Sequence, residues 1–513
     1  MSGQVNLKKM AKDTAERYLK SVIVIDNEIF LTRGNGVHPL DGRMLTKAFA
    51  EKGIACAIYN PEEGDEDIVA TAVNLISQND AAIIDWQLGM RNEEGREDPS
   101  VKCREIIGEV LSKDKEAGES LRLLLIYTGE EQLDDLRDQL NSYLRQQDNL
   151  ELKTLGNNEE LTGLSGRNAR IVFARKSEGR QIAGDFTPED TVSTTALPDK
   201  LIDQFSRFAN GILPMTTLNA IAALREHTHT LLGFFAKELD PAFVYHAATI
   251  SDSRDCTAFL LEQIRDEVHT IIETDRATKK CTEIDTLRNW YSKHKCFLDR
   301  NGNQLKPKDA QKFILPEYRE EKFCEAVPKK KLDKIYTVKK KLCRFSCIAV
   351  IRREAGGRHR TMLGAYTPML TQGTLVQCLK SKRFLLCLIP RCDAVRLKDD
   401  GAVFPFLVLK RCKSSSSPHL CCSYDGDTRT FKLPKKLEWK DIKLIDLSVR
   451  DGLVKVNVDQ GRYVFQRKDG GTFRWVADLK DHFITKLVAD LVPNWARIGI
   501  DEYEWLRRNR NRD

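Results

Sequence analysis

Four side chains suited to phosphoryl chemistry stand at the ends of short apolar runs in this sequence. They are Asp26, Asp85, Thr128 and Lys176. Carboxylates hold Mg²⁺, which takes one or two of them together with phosphate oxygens and water. A carboxylate can also act as a nucleophile and become an aspartyl phosphate. We therefore predict that Asp85 accepts a phosphoryl group, that Thr128 and Lys176 bind its oxygens, and that Asp26, Asp85 and Glu28 hold Mg²⁺.

The segments that must position these residues alternate between strand-like and helix-like patterns. Strand-like segments occupy 21–26, 54–60, 81–84, 121–129 and 169–176, and helix-like segments occupy 42–53, 66–80, 102–111 and 131–144. Strands that alternate with helices of ten or more residues predict βαβ crossovers and a parallel sheet. The fold class predicted for this part is α/β, a five-stranded doubly wound parallel sheet of the flavodoxin-like type. Since such strands end at one edge of the sheet, the four side chains should converge there.

The remaining chain divides by composition into three further regions. Residues 1–190 form the predicted α/β domain, and 196–300 carry apolar residues at helical spacing, which predicts a helical domain. Residues 301–342 are rich in lysine and are interpreted as a basic linker or exposed face. Strand-like segments dominate 343–513, and helix-like segments close the chain, so a mixed α+β effector or interaction domain is predicted there.

The charge of the chain is unevenly distributed. The chain of 513 residues has a net charge of +7, yet residues 1–190 hold 24 Lys and Arg against 35 Asp and Glu. The remainder holds 58 basic against 40 acidic residues. An acidic front half suits a divalent cation, whereas the basic C-terminal half suits nucleic acid or an acidic protein as a partner.

Several features predict a cytoplasmic protein that does not enter the membrane. No apolar run approaches the roughly 20 residues of a spanning helix. The N-terminal residues lack the apolar stretch of a signal peptide. The 14 cysteines are too dispersed for a small disulfide scaffold, which favours a reducing compartment.

The four strand-end residues resemble the receiver domain of two-component response regulators over about 160 residues. The resemblance implies that Asp85 is the phosphoacceptor, Thr128 the switch hydroxyl, Lys176 the phosphate-contacting lysine and Asp26 part of the acidic pair. Two adjacent acids are expected in that family, whereas the sequence "IDNE" offers one. Either Asp26 fills the first acid position and Asn27 replaces the direct metal ligand, or Ile25 replaces the first acid and Asp26 is the ligand. Glu28 could compensate, and the other interpretation is a degenerate receiver that acts by docking. An ordinary flavodoxin-like domain with incidental polar strand ends is the further alternative.

A second resemblance extends along the rest of the chain. The segments "HTLLGFFAKELDPAFVYHA", "TPMLTQGTLVQ", "LLCLIPRCDAVRL" and "FPFLVL" look like receiver-containing proteins of bacterial conflict loci. Such proteins typically accompany a histidine-kinase-like ATPase and are suspected of antiphage defence. The resemblance implies a signalling protein in a two-component-like phosphorelay, whose receiver controls a C-terminal module. The rival interpretation is an adaptor that binds the ATPase.

The C-terminal half raises the question of two further sites, a nuclease site and a zinc site. Asp425, Asp427, Glu438 and Lys440 are spaced loosely as in a metal-dependent nuclease, which leaves a nuclease effector as a third hypothesis. Whether the chain is an enzyme therefore stays open, although a phosphoacceptor is favoured over a turnover enzyme. A zinc site is not expected, because the cysteines of this half include no C-x₂-C pair.

Overall fold

The computed structural model divides the chain into two compact units. The first unit comprises Met1–Lys115 and Ser120–Pro328, and the second comprises Glu116–Glu119 and Lys329–Asp513. The structure describes residues 6–30, 40–62, 65, 67–88, 98–116, 120–148, 152–156, 159–166, 168–177, 190–249, 253–294, 345–355, 366–390, 392–394, 397–398, 401–412, 420–424, 427–434 and 439–490. The predicted basic linker or face at 301–342 lies outside these residues.

An eight-stranded sheet forms the centre of the first unit. Its strands are β1 (Ser21–Ile25), β2 (Ala55–Tyr59), β3 (Ala81–Ile84), β4 (Arg122–Thr128), β5 (Lys153–Thr154), β6 (Gly163–Ser165), β7 (Ala169–Lys176) and β8 (Thr191–Val192). The order is β2-β1-β3-β4-β7-β6-β5, and β8 pairs with β7. Strands β2, β1, β3, β4 and β7 are parallel to one another, whereas β6 is antiparallel to both β7 and β5. The five predicted parallel strands are therefore present in flavodoxin-like order, and three short strands extend the sheet.

Helices cover both faces of this sheet. They are α1 (Leu7–Tyr18), α2 (Gly42–Glu51), α3 (Ile68–Gln78), α4 (Val101–Glu116), α5 (Leu133–Asp148) and α6 (Leu197–Ala209). Side chains alternate along each strand, so Val22 and Val24 share a core with α1, α2 and α6. Ile23 and Ile25 point to the opposite face and share a core with α3, α4 and α5. Burial on both faces explains why β1, β3, β4 and β7 read as continuous apolar runs.

The helical middle region packs against the first of these cores. It contains α7 (Ile212–Glu226), α8 (Thr228–Phe234), α9 (Asp240–Thr249), α10 (Ser253–Thr274), α11 (Arg276–Lys280) and α12 (Ile284–His294). Arg17 of α1 joins the region through ion pairs to Glu226 at 2.6 Å and to Asp275 at 2.9 Å. Arg225 pairs with Asp80 at 2.7 Å, at the start of β3. The C-terminal end of α7 is thus fixed to the α/β domain.

The second unit is built on a ten-stranded sheet. Its strands are β9 (Ile351–Glu354), β10 (Thr374–Cys378), β11 (Phe384–Cys387), β12 (Ala402–Arg411), β13 (Leu420–Tyr424), β14 (Asp427–Lys432), β15 (Ile442–Leu447), β16 (Val456–Asp459), β17 (Arg462–Gln466) and β18 (Thr472–Leu479). The order is β13-β14-β12-β11-β10-β18-β17-β16, with β15 paired to β12 and β9 to β18. All of these pairs are antiparallel.

The antiparallel sheet has an apolar core on each face. Leu375 and Leu407 lie in one core, and their neighbours Val376 and Phe406 lie in the other. Residues 481–490 are helical. The predicted fold class is confirmed for both parts of the chain. Among the helices that the structure describes, none is long and apolar enough to cross a membrane.

Candidate functional site

The backbone at the ends of β1 and β3 places Asp26 and Asp85 side by side. The Asp85 N–H donates to Ile25 O at 2.8 Å, and the Asp26 N–H donates to Tyr59 O at 3.2 Å. Both residues follow the last residue of their strand directly, so the parallel ladder continues one step past the strand end. The carboxylates are thereby held at the C-terminal edge of the sheet, where open α/β sheets form their sites.

Lys176 joins the two carboxylates. Its Nζ donates to Asp26 Oδ2 at 2.9 Å and lies 3.3 Å from Asp85 Oδ2. Asp26, Asp85 and Lys176 are 1%, 5% and 3% exposed. A charge so far from water is tolerated only when it is paired and hydrogen-bonded. The structure therefore brings three of the predicted site residues into a single buried ionic cluster.

The protonation of this cluster follows from burial and from its own charges. Burial raises the pKa of Asp85 to about 7, and the nearby Asp26 carboxylate adds to the rise, although Lys176 opposes both. Burial also lowers the pKa of Lys176, but Asp85 and Asp26 outweigh it, so the pKa of the lysine is raised. Lys176 thus stays charged at neutral pH, whereas Asp85 is close to its midpoint of ionisation.

Thr128 ends β4 at the same edge of the sheet. It is buried, and its hydroxyl oxygen accepts a hydrogen bond from the Glu130 N–H at 3.3 Å. The Glu130 carboxylate accepts a hydrogen bond from the side-chain amide of Gln87, which follows β3. The loops after β3 and β4 are therefore tied together beside Asp85. The sequence reasoning missed this bridge, because nothing in the sequence pairs Gln87 with Glu130.

A buried tyrosine connects the lysine to the short strand β8. Lys176 Nζ lies 5.9 Å from the centroid of the Tyr127 ring, and the Tyr127 hydroxyl donates to Val192 O at 2.7 Å. Lys176 and Val192 are also neighbours in the β7–β8 pair. Since α6 begins a few residues after β8, the cluster is linked by successive contacts to the helical region.

The oxygen atoms near Asp26 are of the kind that Mg²⁺ binds. The Glu28 N–H donates to Asp26 Oδ1 at 2.8 Å, and Asn27 Oδ1 is buried without a hydrogen-bond partner among the described residues. Two carboxylates and an amide oxygen lacking a donor are ligands that a hard cation accepts alongside water. The residues present therefore fit Mg²⁺. Among the described side chains, Asp26, Asp85 and Glu28 do not form a three-carboxylate metal group, so the part of Glu28 as a ligand stays a prediction.

The other sequence-predicted sites fall partly outside the described residues. This applies to Asp425 and Glu438 of the nuclease hypothesis, while Asp427 lies 3.4 Å from Arg429 in an ion pair. Within the described part of the chain, no group of three or more His, Cys, Asp or Glu side chains could hold a metal ion. The nuclease therefore stays a hypothesis.

We expect the stability of the α/β domain to fall as the pH rises from about 4 to about 7. Over this range the unfolded chain has lost the Asp85 proton whereas the folded protein keeps it. The free energy of unfolding then falls by up to about 1.4 kcal/mol per pH unit. Asp85→Asn should remove this slope and be more stable than the wild type at pH 8. Differential scanning calorimetry of the full chain between pH 4 and 8 measures the effect.

The matched control for this measurement is Asp138→Asn. Asp138 is an exposed aspartate on α5 of the same domain. Its substitution should leave the pH dependence of the wild type unchanged. An Asp85→Asn protein that retains the full slope would show that another group titrates.

The comparison with family models matches residues 18–181 to the response receiver domain. Comparisons with curated proteins and with solved structures gave no significant match. The matched span runs from before β1 to beyond β7 and contains Asp26, Asp85, Thr128 and Lys176. A receiver domain supports a role in signalling of the two-component type. Residues 18–181 of this chain are a response receiver domain.

Proposed function

We propose that the receiver domain accepts a phosphoryl group on Asp85 and passes the signal to the rest of the chain. The observation that carries the proposal is the buried cluster in which Lys176 Nζ contacts both Asp26 and Asp85 at the C-terminal edge of the sheet. A lysine held there offsets the negative charge that arrives with a phosphoryl group. Thr128, at the end of the neighbouring strand, supplies a hydroxyl for its oxygens.

The proposed step is a phosphoryl transfer from a donor to the carboxylate. An Asp85 carboxylate oxygen attacks phosphorus, the new O–P bond forms, and the bond from phosphorus to the donor breaks. The leaving group takes the electron pair: acetate leaves acetyl phosphate as the anion, whereas an imidazole leaving group takes a proton from water. Because only the ionised carboxylate is a nucleophile, a cation that favours the ionisation of Asp85 should accelerate acceptance.

Mg²⁺ is the proposed cofactor. Asp26 and Asp85 would hold it through carboxylate oxygens, with Asn27 or Glu28 as a further oxygen ligand. When bound, the ion neutralises charge on the phosphoryl oxygens. Lys176 would keep its contact with the carboxylates and also contact the phosphoryl oxygens. The negative charge of the site would then be shared between the lysine and Mg²⁺.

The proposal extends to the phosphoryl donor, the location of the protein and the role of its C-terminal unit. We propose a histidine-kinase-like ATPase as the phosphoryl donor, a cytoplasmic location, and antiphage defence as the setting. These rest on the resemblance of His229–Ala247, Thr367–Gln377 and the two later segments to proteins of conflict loci. The C-terminal β unit is the proposed effector or interaction module, and its net positive charge makes nucleic acid a candidate ligand.

A second candidate function is a degenerate receiver that binds the ATPase by docking alone. Lys176 contacts both buried carboxylates, and where the family has two adjacent acids this chain has one, Asp26. In this alternative the ionic cluster stabilises the fold, and the surface of the receiver is the functional part.

Phosphorylation of the full chain by a small phosphodonor separates the two candidates. With acetyl phosphate and Mg²⁺, intact-mass spectrometry should find one added phosphoryl group per chain, on the peptide that contains Asp85. The adduct should be lost on treatment with hydroxylamine, since an acyl phosphate is cleaved by that nucleophile.

The control is the same incubation in excess EDTA, which should yield no adduct. A wild-type chain that acquires no phosphoryl group from either acetyl phosphate or phosphoramidate, while calorimetry shows it folded, would favour docking alone. An adduct on a serine or lysine peptide would contradict the assignment of Asp85.

A further inference from the structure

The middle region presents an apolar surface that no described part of the first unit covers. The surface is defined here by α8, the turn Lys237–Leu239, α9 and the first half of α10, and is called the α8–α10 surface. Its large apolar side chains are between 42% and 77% exposed. They are Leu232, Phe234, Leu239, Val244, Tyr245, Phe259 and Leu261. Such a concentration is far above the single exposed apolar residues that occur on any protein surface.

Helices α8 and α9 contribute no side chain to a core. Neither helix has a buried residue. By contrast, α7 just before them buries Met215, Leu218 and Ala222. A helix of a globular protein is normally amphipathic and buries one face. Two successive helices without a buried face therefore indicate a surface that a partner covers.

The helices of this surface are held in place by contacts at both ends. The ion pairs of Arg225 and Glu226 fix the C-terminal end of α7, and α8 begins two residues later. At the other end, the His246 ring of α9 lies 4.7 Å from the Phe259 ring of α10, centroid to centroid. The apolar side chains are thus displayed on an anchored scaffold, which lowers the entropy that binding must overcome.

The composition of the surface selects the class of partner. Between Thr228 and Thr249 the charged residues are Lys237, Glu238 and Asp240, at or next to the connecting turn, and the first half of α10 adds Arg254, Asp255 and Glu262. Nucleic acid and anionic membranes require clusters of Lys and Arg, and this surface has one of each. An apolar surface that carries few charges, of both signs, can meet a second copy of itself in a two-fold symmetric dimer.

The extent of the surface also fits a dimer. An aromatic side chain that is fully exposed presents about 150–250 Å², and leucine and valine fall toward the lower end of that range. At the exposed fractions given above, seven residues present on the order of 800 Å² per chain. Stable protein interfaces bury about 800 Å² per partner, so the apolar area exposed by these helices is of the size that a dimer needs.

We propose that this protein forms a symmetric dimer through the α8–α10 surface. Each copy would cover the apolar side chains of the other, with Leu232 and Tyr245 near the centre of the contact. The dimer would join two receiver domains through α7, whose end is fixed to the α/β domain. The proposal is independent of phosphorylation at Asp85.

Sedimentation equilibrium of the full chain between 0.5 and 50 μM tests the proposal. The wild type should have twice the mass of one chain over most of this range. The double variant Leu232→Glu/Tyr245→Glu should have the mass of one chain, with the dissociation constant raised at least 100-fold. Both side chains are exposed, so circular dichroism should show the secondary structure of the wild type. The single variant Leu232→Ala should weaken the dimer about tenfold.

The matched control is Leu444→Glu in the second unit. Leu444 is 66% exposed and Leu232 is 64% exposed, so both changes replace a leucine by a charge at a comparably exposed position. Leu444→Glu should leave the dimer intact. A wild type that stays monomeric at 50 μM would overturn the proposal, as would a dimer that survives the double variant. Monomeric protein that instead binds lipid vesicles or a DNA duplex through this surface would overturn it as well.

Discussion

Replacing Lys176 with methionine should destabilise the receiver domain by about 3–5 kcal/mol at pH 8, the usual consequence of removing one partner from a buried ion pair. The ammonium of Lys176 is 2.9 Å from one carboxylate and 3.3 Å from the other, and no other cation is paired with either of these carboxylates among the described residues. Without it, Asp26 and Asp85 stand together as buried, like charges. One of them must then bind a proton, so the loss should shrink as the pH falls toward 5.

Urea unfolding of the full chain at pH 5 and pH 8 measures this loss. The double variant Lys176→Met/Asp85→Asn should recover much of the stability at pH 8, because one of the two unpaired charges is gone. Lys52→Met is the matched control, since the ion pair of Lys52 with Asp199 is partly exposed and is worth little. A Lys176→Met protein as stable as the wild type at pH 8 would mean that the cluster is balanced by another group.

The N-terminal fold was predictable because its sequence patterns are local. Each strand is a short apolar run, and each is followed by a segment with helical periodicity. This alternation determines a parallel sheet, and the parallel sheet places the C-terminal ends of the strands at one edge. Asp26, Asp85 and Lys176 were therefore expected to meet, although the sequence did not indicate that the lysine contacts both carboxylates.

The missed features depend on contacts between segments distant in the chain. Strand β8 has two residues, too few for any alternation, and it exists because the backbone of β7 pairs with it. The bond from Tyr127 to Val192 is therefore invisible to sequence reasoning. The same holds for the bond between Gln87 and Glu130, which joins two loops.

The C-terminal half was less predictable for a related reason. Antiparallel strands with a core on both faces read as apolar runs whose partners the sequence does not reveal. Pairs such as β9 with β18 join residues more than 100 positions apart. Strand-like segments were recognised there, but the order of the strands required the structure. Antiparallel strands also end at alternate edges of their sheet, so their order does not gather strand-end side chains at one edge as a parallel sheet does.

The contacts around Lys176 indicate how a phosphoryl group could be sensed. The ammonium lies against the Tyr127 ring, and the tyrosine hydroxyl holds Val192 in β8, just before α6. A phosphoryl group on Asp85 would draw Lys176 and Thr128 toward its oxygens. Each contact made only in the phosphorylated state shifts the equilibrium toward that state. The segments expected to respond are the loop after β4 and the connection from β8 to α6.

Asp85→Asn should therefore abolish both phosphorylation and the structural response to it. With Mg²⁺ and beryllofluoride, a mimic of the phosphoryl group, the wild type should change its hydrogen exchange by at least fivefold in residues 128–147 and 191–197. The side-chain amide that this substitution introduces is no nucleophile and carries no charge for a cation, so the variant should show no change in either segment. Exchange measured by mass spectrometry in the full chain resolves both segments separately.

Asp80→Asn is the matched control for this last experiment. Asp80 lies just before β3, at the opposite end of the strand from Asp85, and its side chain accepts bonds from the Lys20 and Ser21 N–H groups. Its substitution should preserve the response to beryllofluoride, although it weakens the pair with Arg225. A wild type that does not respond while Mg²⁺ is present would identify a receiver that acts by docking alone. A response that persists in Asp85→Asn would place the phosphoryl site elsewhere. Asp26 is the carboxylate of the buried cluster that this variant retains, and Asp26 is already paired with Lys176.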